Sequence, residues 1–236
     1  VPKQITSWSF SRYAVYRECP LKAKLKFIDK LEEPGNEAMA RGNRIHKAAE
    51  QFIKGELKTL PPELNKVASI LRYLKGRYKK ITSGMVVEDT WAFTKTWTKT
   101  VWNDWAACWV RIKVDVAHRR EGKEKVLIIT DWKTGKFREE KNDEYVEQLE
   151  LYALAALQLY PDLDYVEPQL CYTDQGMFWP KDGDPIRFTH QDLPVLQKLW
   201  EKRVKSMLND TTFTPKPNNN CRYCHYRKSN GGPCQY

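Results

Sequence analysis

The change of texture at Gly84 constrains the fold more than any other feature of this sequence. Before it, apolar residues recur at helical spacing; after it, β-branched and aromatic residues alternate with polar ones over 85–93, 94–102, 108–117 and 125–133. A helical period returns over 143–160 with Val146, Leu149, Ala153 and Leu157, then strand patterns at 165–173 and 177–180, and a last helix at 191–208. That order, helices, meander, helix, strand, predicts an α/β fold with a mixed sheet flanked by helices and an N-terminal helical region. With 236 residues and 27.8 kDa the chain is long enough for one well-buried domain. Residues 1–83 are expected as a basic helical part, 84–212 as an α/β core and 213–236 as a Cys-rich tail.

The helical third has readable punctuation. Ser9 or Ser11 can cap a short helix ending near Cys19, and Pro20 suits the first turn of the next, placing Leu21, Leu25 and Ile28 inward. Ala38, Gly42, Ile45, Ala49 and Phe52 share a helical stripe that runs to Gly55. Pro61-Pro62 opens a third helix, with Val67, Ile70, Leu71, Leu74 and Tyr78 inward and Arg72, Lys75, Arg77, Lys79 and Lys80 largely outward.

Charge is distributed unevenly. Of 40 Lys and Arg and 30 Asp and Glu, 18 basic and 8 acidic residues fall within 1–80, and the rest of the chain carries 22 of each. The net charge of +10 therefore sits in the first third, which points to a polyanionic partner, most simply nucleic acid, with that third as its phosphate-tracking wall. No apolar run approaches the length of a bilayer span, and Val1-Pro-Lys-Gln-Ile-Thr-Ser-Trp has no signal core, so the expected compartment is the cytoplasm.

The chemistry concentrates in Val126-Leu-Ile-Ile-Thr-Asp131-Trp132-Lys133-Thr134-Gly135. Alternation puts the Asp131 carboxylate and the Lys133 amine on one face of a strand end beside a Gly turn. In the preceding strand Val110, Ile112, Val114 and Val116 share one face and Arg111, Lys113 and Asp115 the other. An antiparallel pair would bring Asp115 beside Asp131, and two adjacent carboxylates suit a hard divalent cation such as Mg²⁺ or Mn²⁺. His46 lies on the striped helix after Gly42, and Gln148 and Tyr152 stand one turn apart on the helix after Lys133.

Six cysteines complete the inventory. Cys108 and Cys171 fall in strand patterns as small buried hydrophobes. Cys221, Cys224 and Cys234 form a knot with three of the four ligands of a closed metal site; His225 would complete a zinc site and Cys19 a long-range one.

Taken in chain order, Ser7-Trp-Ser9, Tyr16-Arg-Glu-Cys19-Pro20, Arg41-Gly42-Asn-Arg-Ile-His46, the strand ending in Asp115, Asp131-Trp-Lys133-Thr-Gly-Lys136 and Gln148-Leu-Glu-Leu-Tyr152 resemble the RecB-like branch of the PD-(D/E)XK nucleases. Ile112 departs from the pattern, standing where that family often has Gly. The resemblance implies a restriction-endonuclease-like core and a Mg²⁺- or Mn²⁺-dependent deoxyribonuclease, an exonuclease by preference. In it His46, Asp115, Asp131 and the Trp132 carbonyl hold the metal, Lys133 activates or positions water, and Gln148 and Tyr152 hold the scissile strand. Glu88 is an outer carboxylate of that site. The Cys19, Cys221, Cys224 and Cys234 layout is similar to the iron-sulfur subgroup, where four thiolates hold a 4Fe-4S cluster, with zinc as the alternative. DNA that is single-stranded or has free ends is the implied substrate. With no Gly-Lys-Ser/Thr loop in the chain, unwinding would fall to a helicase or recombination partner. The competing reading is a non-catalytic nucleic-acid-binding module with a zinc-binding tail.

Overall fold

In the computed structural model, which describes residues 4–80, 84–181 and 184–236, four helices come first: α1 (Phe10–Glu18), α2 (Pro20–Phe27), α3 (Glu37–Lys54) and α4 (Ala68–Tyr78). The expected start at Val1 to Lys3 and the boundary near 81–83 lie outside the described residues. Ser9, rather than Ser11, caps α1 by accepting the Arg12 N–H at 3.3 Å, and Pro20 begins α2. Pro61-Pro62 opens a 3-10 turn, Pro62–Val67, and α4 follows it. In α2, Leu25 and Ile28 are buried as expected, but Ala23 joins them while Leu21 is only half-buried.

The strands are β1 (Val86–Phe93), β2 (Lys99–Thr100), β3 (Val110–Arg119), β4 (Val126–Lys133), β5 (Tyr165–Tyr172) and β6 (Met177–Trp179), with α5 (Asn142–Leu159) between β4 and β5 and α6 (Leu193–Asn209) after β6. They form one six-stranded mixed sheet in the order β2-β1-β3-β4-β5-β6, antiparallel except for the parallel pair β4–β5, which α5 connects. One face is covered by α5, α6 and α1 over the larger core, and the other by α3 and α4 over a second core containing Val87, Val116, Trp132 and Cys171. No helix among the described residues is long and apolar enough to cross a membrane.

Three expectations are corrected. The strand at 94–102 shrinks to Lys99–Thr100, because Thr94, Thr96 and Thr98 hydrogen-bond one another through their hydroxyls, the Thr94 N–H closes a turn onto the Thr98 carbonyl, and Trp97 turns inward at φ 59. Its indole packs against Trp8 and Trp109, and its Nε1 donates to Glu201. In α4, Tyr78 is exposed and Arg77 is buried, since the Arg77 guanidinium reaches Glu121 and the Arg119 carbonyl across the sheet end. The alternation along β3 slips at Asp115. Val110, Ile112 and Val114 pack with α5 and α6, Val116 joins Trp132 on the opposite side, and Ala117 returns to the first.

Just beyond the slip, β3 buries His118, which meets Tyr73 edge-on and whose Nδ1 has no hydrogen-bond partner. Burial, with Arg77 and Arg120 adding to it, pushes its pKa from 6.5 down to about 4. The folded state thus disfavours the protonated ring, so this contribution is intact above pH 6.5 and is lost as pH falls through 4. The loss is about 3 kcal/mol. Replacing His118 with Leu is expected to flatten the unfolding free energy between pH 6.5 and 4 relative to the parent, as followed by denaturant titration.

Candidate active site

The sheet forks at its centre. β3 and β4 pair from Val116↔Thr130 to Arg119↔Leu127, and the next rung, Asp115 opposite Asp131, is not made. Further along, β3 takes a different neighbour: the Trp8 N–H donates to the Trp109 carbonyl at 2.8 Å and the Arg111 N–H to the Trp8 carbonyl at 2.9 Å. Between these two pairings opens a cleft of about 1010 Å³, with His46, Asp115, Asp131, Lys133, Gln148 and Tyr152 in its wall. Every side chain that the sequence pattern singled out for the catalytic site is thus brought to one place. Asp115 stands in the middle of β3, where the fork begins, and not at a strand end.

Each carboxylate is held differently. Asp115 is 6% exposed; its Oδ2 accepts the Trp132 N–H at 2.8 Å and lies 3.2 Å from His46 Nδ1. This bond fixes the backbone of Trp132, whose indole is anchored in the α3–α4 core. Asp131 Oδ1 accepts from the Tyr152 hydroxyl and, at 3.2 Å, from Gln148 Nε2. Lys133 Nζ lies 2.7 Å from Asp131 Oδ2 and donates to Gln148 Oε1 at 2.9 Å. The buried Oδ2 receives no aligned hydrogen bond, so the ion pair supplies charge without completing its coordination. Gln148 and Tyr152, one turn apart on α5, are therefore packed against Asp131 rather than exposed to solvent.

The electrostatics follow from burial and like charge. Burial and the Asp131 carboxylate raise the Asp115 pKa, against the opposing pull of His46 and the Trp132 N–H. Burial works against a charged His46, yet the hydrogen bond to Asp115 and the charges of Asp115, Asp131 and Glu88 outweigh it and raise its pKa. Burial and the two aspartates push the Tyr152 phenol well above its ordinary value, keeping it a donor.

Glu88 enters more closely than its expected outer position. Its ligand oxygen, His46 nitrogen and an Asp115 oxygen all lie within 4.8 Å of one another. Glu88 stands opposite Asp115, where the β1–β3 ladder runs from Val87↔Val116 to Asp89↔Val114 without pairing the residues between, and it adopts φ 54. A non-glycine residue held there costs conformational energy, and its side chain is turned to the site by it. Lys113 Nζ balances Glu88 at 2.5 Å. Asp131 stands outside this close trio, engaged by α5. The His46 nitrogen and the Glu88 and Asp115 oxygens are a donor set that fits a hard divalent cation such as Mn²⁺ or Mg²⁺, with the Asp131 carboxylate beside it.

The turn after β4 is tied to α3. Gly135, at φ 90, donates its N–H to Asp174 Oδ2 at 2.7 Å, and the same carboxylate receives both Nη atoms of Arg41, at 3.0 and 2.6 Å. The basic first third does not line the cleft as expected. Among the described lysines and arginines that line it, Arg12 alone comes from 1–80 and the others lie between Arg111 and Lys141. Several lysines of the first third are neutralised locally, Lys22 by Glu18, Lys24 by Asp29 and Lys54 by Glu50.

The tail folds back to the junction of α1 and α2, where Cys19 sits between the two helices. The Lys216 N–H points at Cys19 Sγ at 3.5 Å, Lys216 Nζ donates to the Arg17 carbonyl at 3.1 Å, and Asn218 Nδ2 to the Glu18 carbonyl at 3.2 Å. Cys19, Cys221, Cys224 and Cys234 are all free thiols and half-buried. Burial raises the Cys224 pKa; the Tyr226 N–H and Lys22 oppose this, and the neighbouring Cys234 and Cys19 add to it. Gly232 is required in this knot, since a Cβ there would lie 2.2 Å from the Tyr226 backbone. Burial works against a charged Glu33, but the hydrogen bond and charge of Lys26 outweigh it and lower its pKa, with Lys22 and His225 adding to this.

A crystal structure of a candidate exonuclease from Eubacterium rectale is similar over 92% of this chain and 88% of its own, at 16% identity and a TM-score of 0.48. The crystal structure of a protein named SSO0001 is similar over 96% and 86%, at 13% identity and a TM-score of 0.36. No curated protein matches the chain by sequence. The model of the PD-(D/E)XK nuclease superfamily matches residues 7–229, nearly the whole chain, and the chain belongs to that superfamily of nucleases.

Proposed function

We propose that the chain is a divalent-metal-dependent DNA exonuclease of the RecB-like, iron-sulfur type. The observation that carries the catalytic part is the convergence of His46, Glu88, Asp115, Asp131 and Lys133 at the fork of one sheet, in a cleft large enough for a nucleic-acid strand. His46, Asp115 and Asp131, with the Trp132 carbonyl and with Glu88 close by, would hold the cation. When bound, such an ion polarises a phosphate oxygen and makes water acidic enough to attack at neutral pH. A binding module without chemistry gains nothing from buried carboxylates that repel phosphate.

The chain's own residues then have distinct tasks. Tyr152, kept protonated, and Gln148 hold Asp131 in one orientation through the hydrogen bonds to its Oδ1. Lys133, 2.7 Å from Asp131, carries its positive charge at the mouth of this pair and would stabilise charge developing on the phosphate as the water adds. A protonated imidazole cannot ligate a cation, so metal binding through His46 is expected to strengthen as pH rises. Cys19, Cys221, Cys224 and Cys234 would hold the 4Fe-4S cluster in a structural role, joining α1, α2 and the tail. The strand would be supplied single or with a free end by a separate helicase or recombination partner.

The test is digestion of one sequence as a linear strand and as a covalently closed circle, with Mn²⁺. Loss of the linear form with the circle intact is the expected result. Comparable cutting of the circle removes the exonuclease reading and leaves an endonuclease.

A further inference from the structure

Two arginines in the cleft stand together with no carboxylate partner among the described residues. Arg12, on α1, donates through Nη1 to the Ser7 carbonyl at 2.9 Å and to Ser7 Oγ at 3.1 Å. Arg111, on β3, donates through Nη1 to that same Ser7 Oγ at 2.9 Å and through Nε to the Trp102 carbonyl at 3.0 Å. One hydroxyl oxygen thus serves two cations, and every acceptor is neutral. Among the described residues neither guanidinium is paired with a carboxylate. Arg111 is 8% exposed and its buried Nη2 has no hydrogen-bond partner among the described residues.

The other buried arginine among the described residues, Arg77, is paired with Glu121, and the half-buried Arg203 is paired with Glu150 at 2.5 Å. A buried cation beside a second cation is costly unless an anion joins them, because desolvation and like-charge repulsion act together. Burial first, and the Arg111 charge second, hold the Arg12 guanidinium below its ordinary pKa. Around the pair are groups that fit a nucleotide. The Ser9 and Ser11 hydroxyls, 3.0 Å apart, mark the positive end of α1 and line the cleft. Trp105, 78% exposed, has the Arg111 guanidinium 4.7 Å from its ring centroid.

We propose that Arg12 and Arg111 form a phosphate subsite that grips the nucleic-acid strand away from the scissile bond, with Trp105 stacking on an adjoining base. The identity of the ligand as a nucleic acid rests on the nuclease reading; the need for an anion rests on the arginines alone. Arg111 and Asp115 are four residues apart on one strand, roughly 13 Å at about 3.3 Å per residue. A single phosphate does not reach both, so the subsite takes a second phosphate of the same strand.

The experiment measures binding of a fluorescein-labelled single-stranded oligonucleotide to the full chain by anisotropy, in EDTA, across a salt series. Arg12→Gln is expected to weaken binding about tenfold and to reduce the slope of log K against log salt by about 0.7, one phosphate contact. Arg12→Lys is expected to keep most of the slope. Since removing one of two adjacent cations relieves repulsion, the Tm of Arg12→Gln should stay level or rise, which a merely structural arginine would not permit. Trp105→Ala, at an exposed position, is expected to weaken binding about tenfold with the slope unchanged. Oligonucleotides with and without a 5′-phosphate separate an internal phosphodiester, which loses equally on both, from a terminal phosphate, which loses only when present. Unchanged affinity and slope in Arg12→Gln overturn the subsite, as does weaker binding at an unchanged slope; unchanged binding in Trp105→Ala overturns the stacking. Because EDTA removes the cation, a failure here is distinct from failure of the catalytic reading, which is decided by cleavage in Asp131 variants.

Discussion

Asp131→Asn is expected to abolish Mn²⁺-dependent degradation of end-labelled DNA, a loss on the order of 10³-fold or more, without lowering the Tm. The reason for the first half lies in the number of groups that meet at this one carboxylate. Tyr152 and Gln148 donate to its Oδ1, and Lys133 stands at its Oδ2. A neutral amide keeps the shape but loses the charge that a cation needs. The second half follows from burial beside Asp115, whose pKa is raised first by its own burial and then by the Asp131 charge. Removing one negative charge relieves that cost and offsets the weakened pair with Lys133. Lys133→Ala is expected to lose activity on the same scale while retaining metal binding, measured by isothermal titration with Mn²⁺. Full cleavage by both variants would remove the proposed catalytic centre.

The second large effect concerns the tail. Cys19→Ala and Cys224→Ala are expected to lose bound metal and to be destabilised alike, although about 200 residues separate the two positions. A link across a loop of that length removes chain entropy from the unfolded state worth about 5 kcal/mol by the cross-link relation. Metal content and Tm of each variant check this. Protein purified without oxygen should be brown and absorb in the visible if iron-sulfur is bound; a colourless zinc-containing preparation would replace the cluster with zinc. Retention of full metal content and stability by Cys19→Ala would remove the long-range link and leave a site local to the tail.

Much of the site was legible in the sequence because its residues sit at positions governed by near neighbours. Asp131 and Lys133 share a strand face through alternation, and Gln148 and Tyr152 share a helix face through the one-turn repeat. Their meeting needed only the β4–α5 connection to fold the helix back over the strand. Glu88 was harder to read, since its approach depends on the left-handed backbone at one residue and on a missing rung in the β1–β3 ladder. No local pattern marks either. The same slip misplaced Val116, because alternation counted through Asp115 assumes an unbroken pleat.

What the sequence by itself determined was the kind and order of elements, the Asp131-Trp132-Lys133 strand end, and the cysteine spacing. These depend on backbone sterics and on apolar period within a few residues. Only the tertiary structure decided which surface carries the charge. The lysine-rich first third turns out to pair many of its cations locally, while Arg12 meets Arg111, 99 positions further along the chain, at a shared Ser7 hydroxyl. Net charge is a sum over the chain and is blind to partners. Whether a cation is neutralised, or left buried and awaiting an anion, is settled by which carboxylates the fold brings within hydrogen-bonding distance.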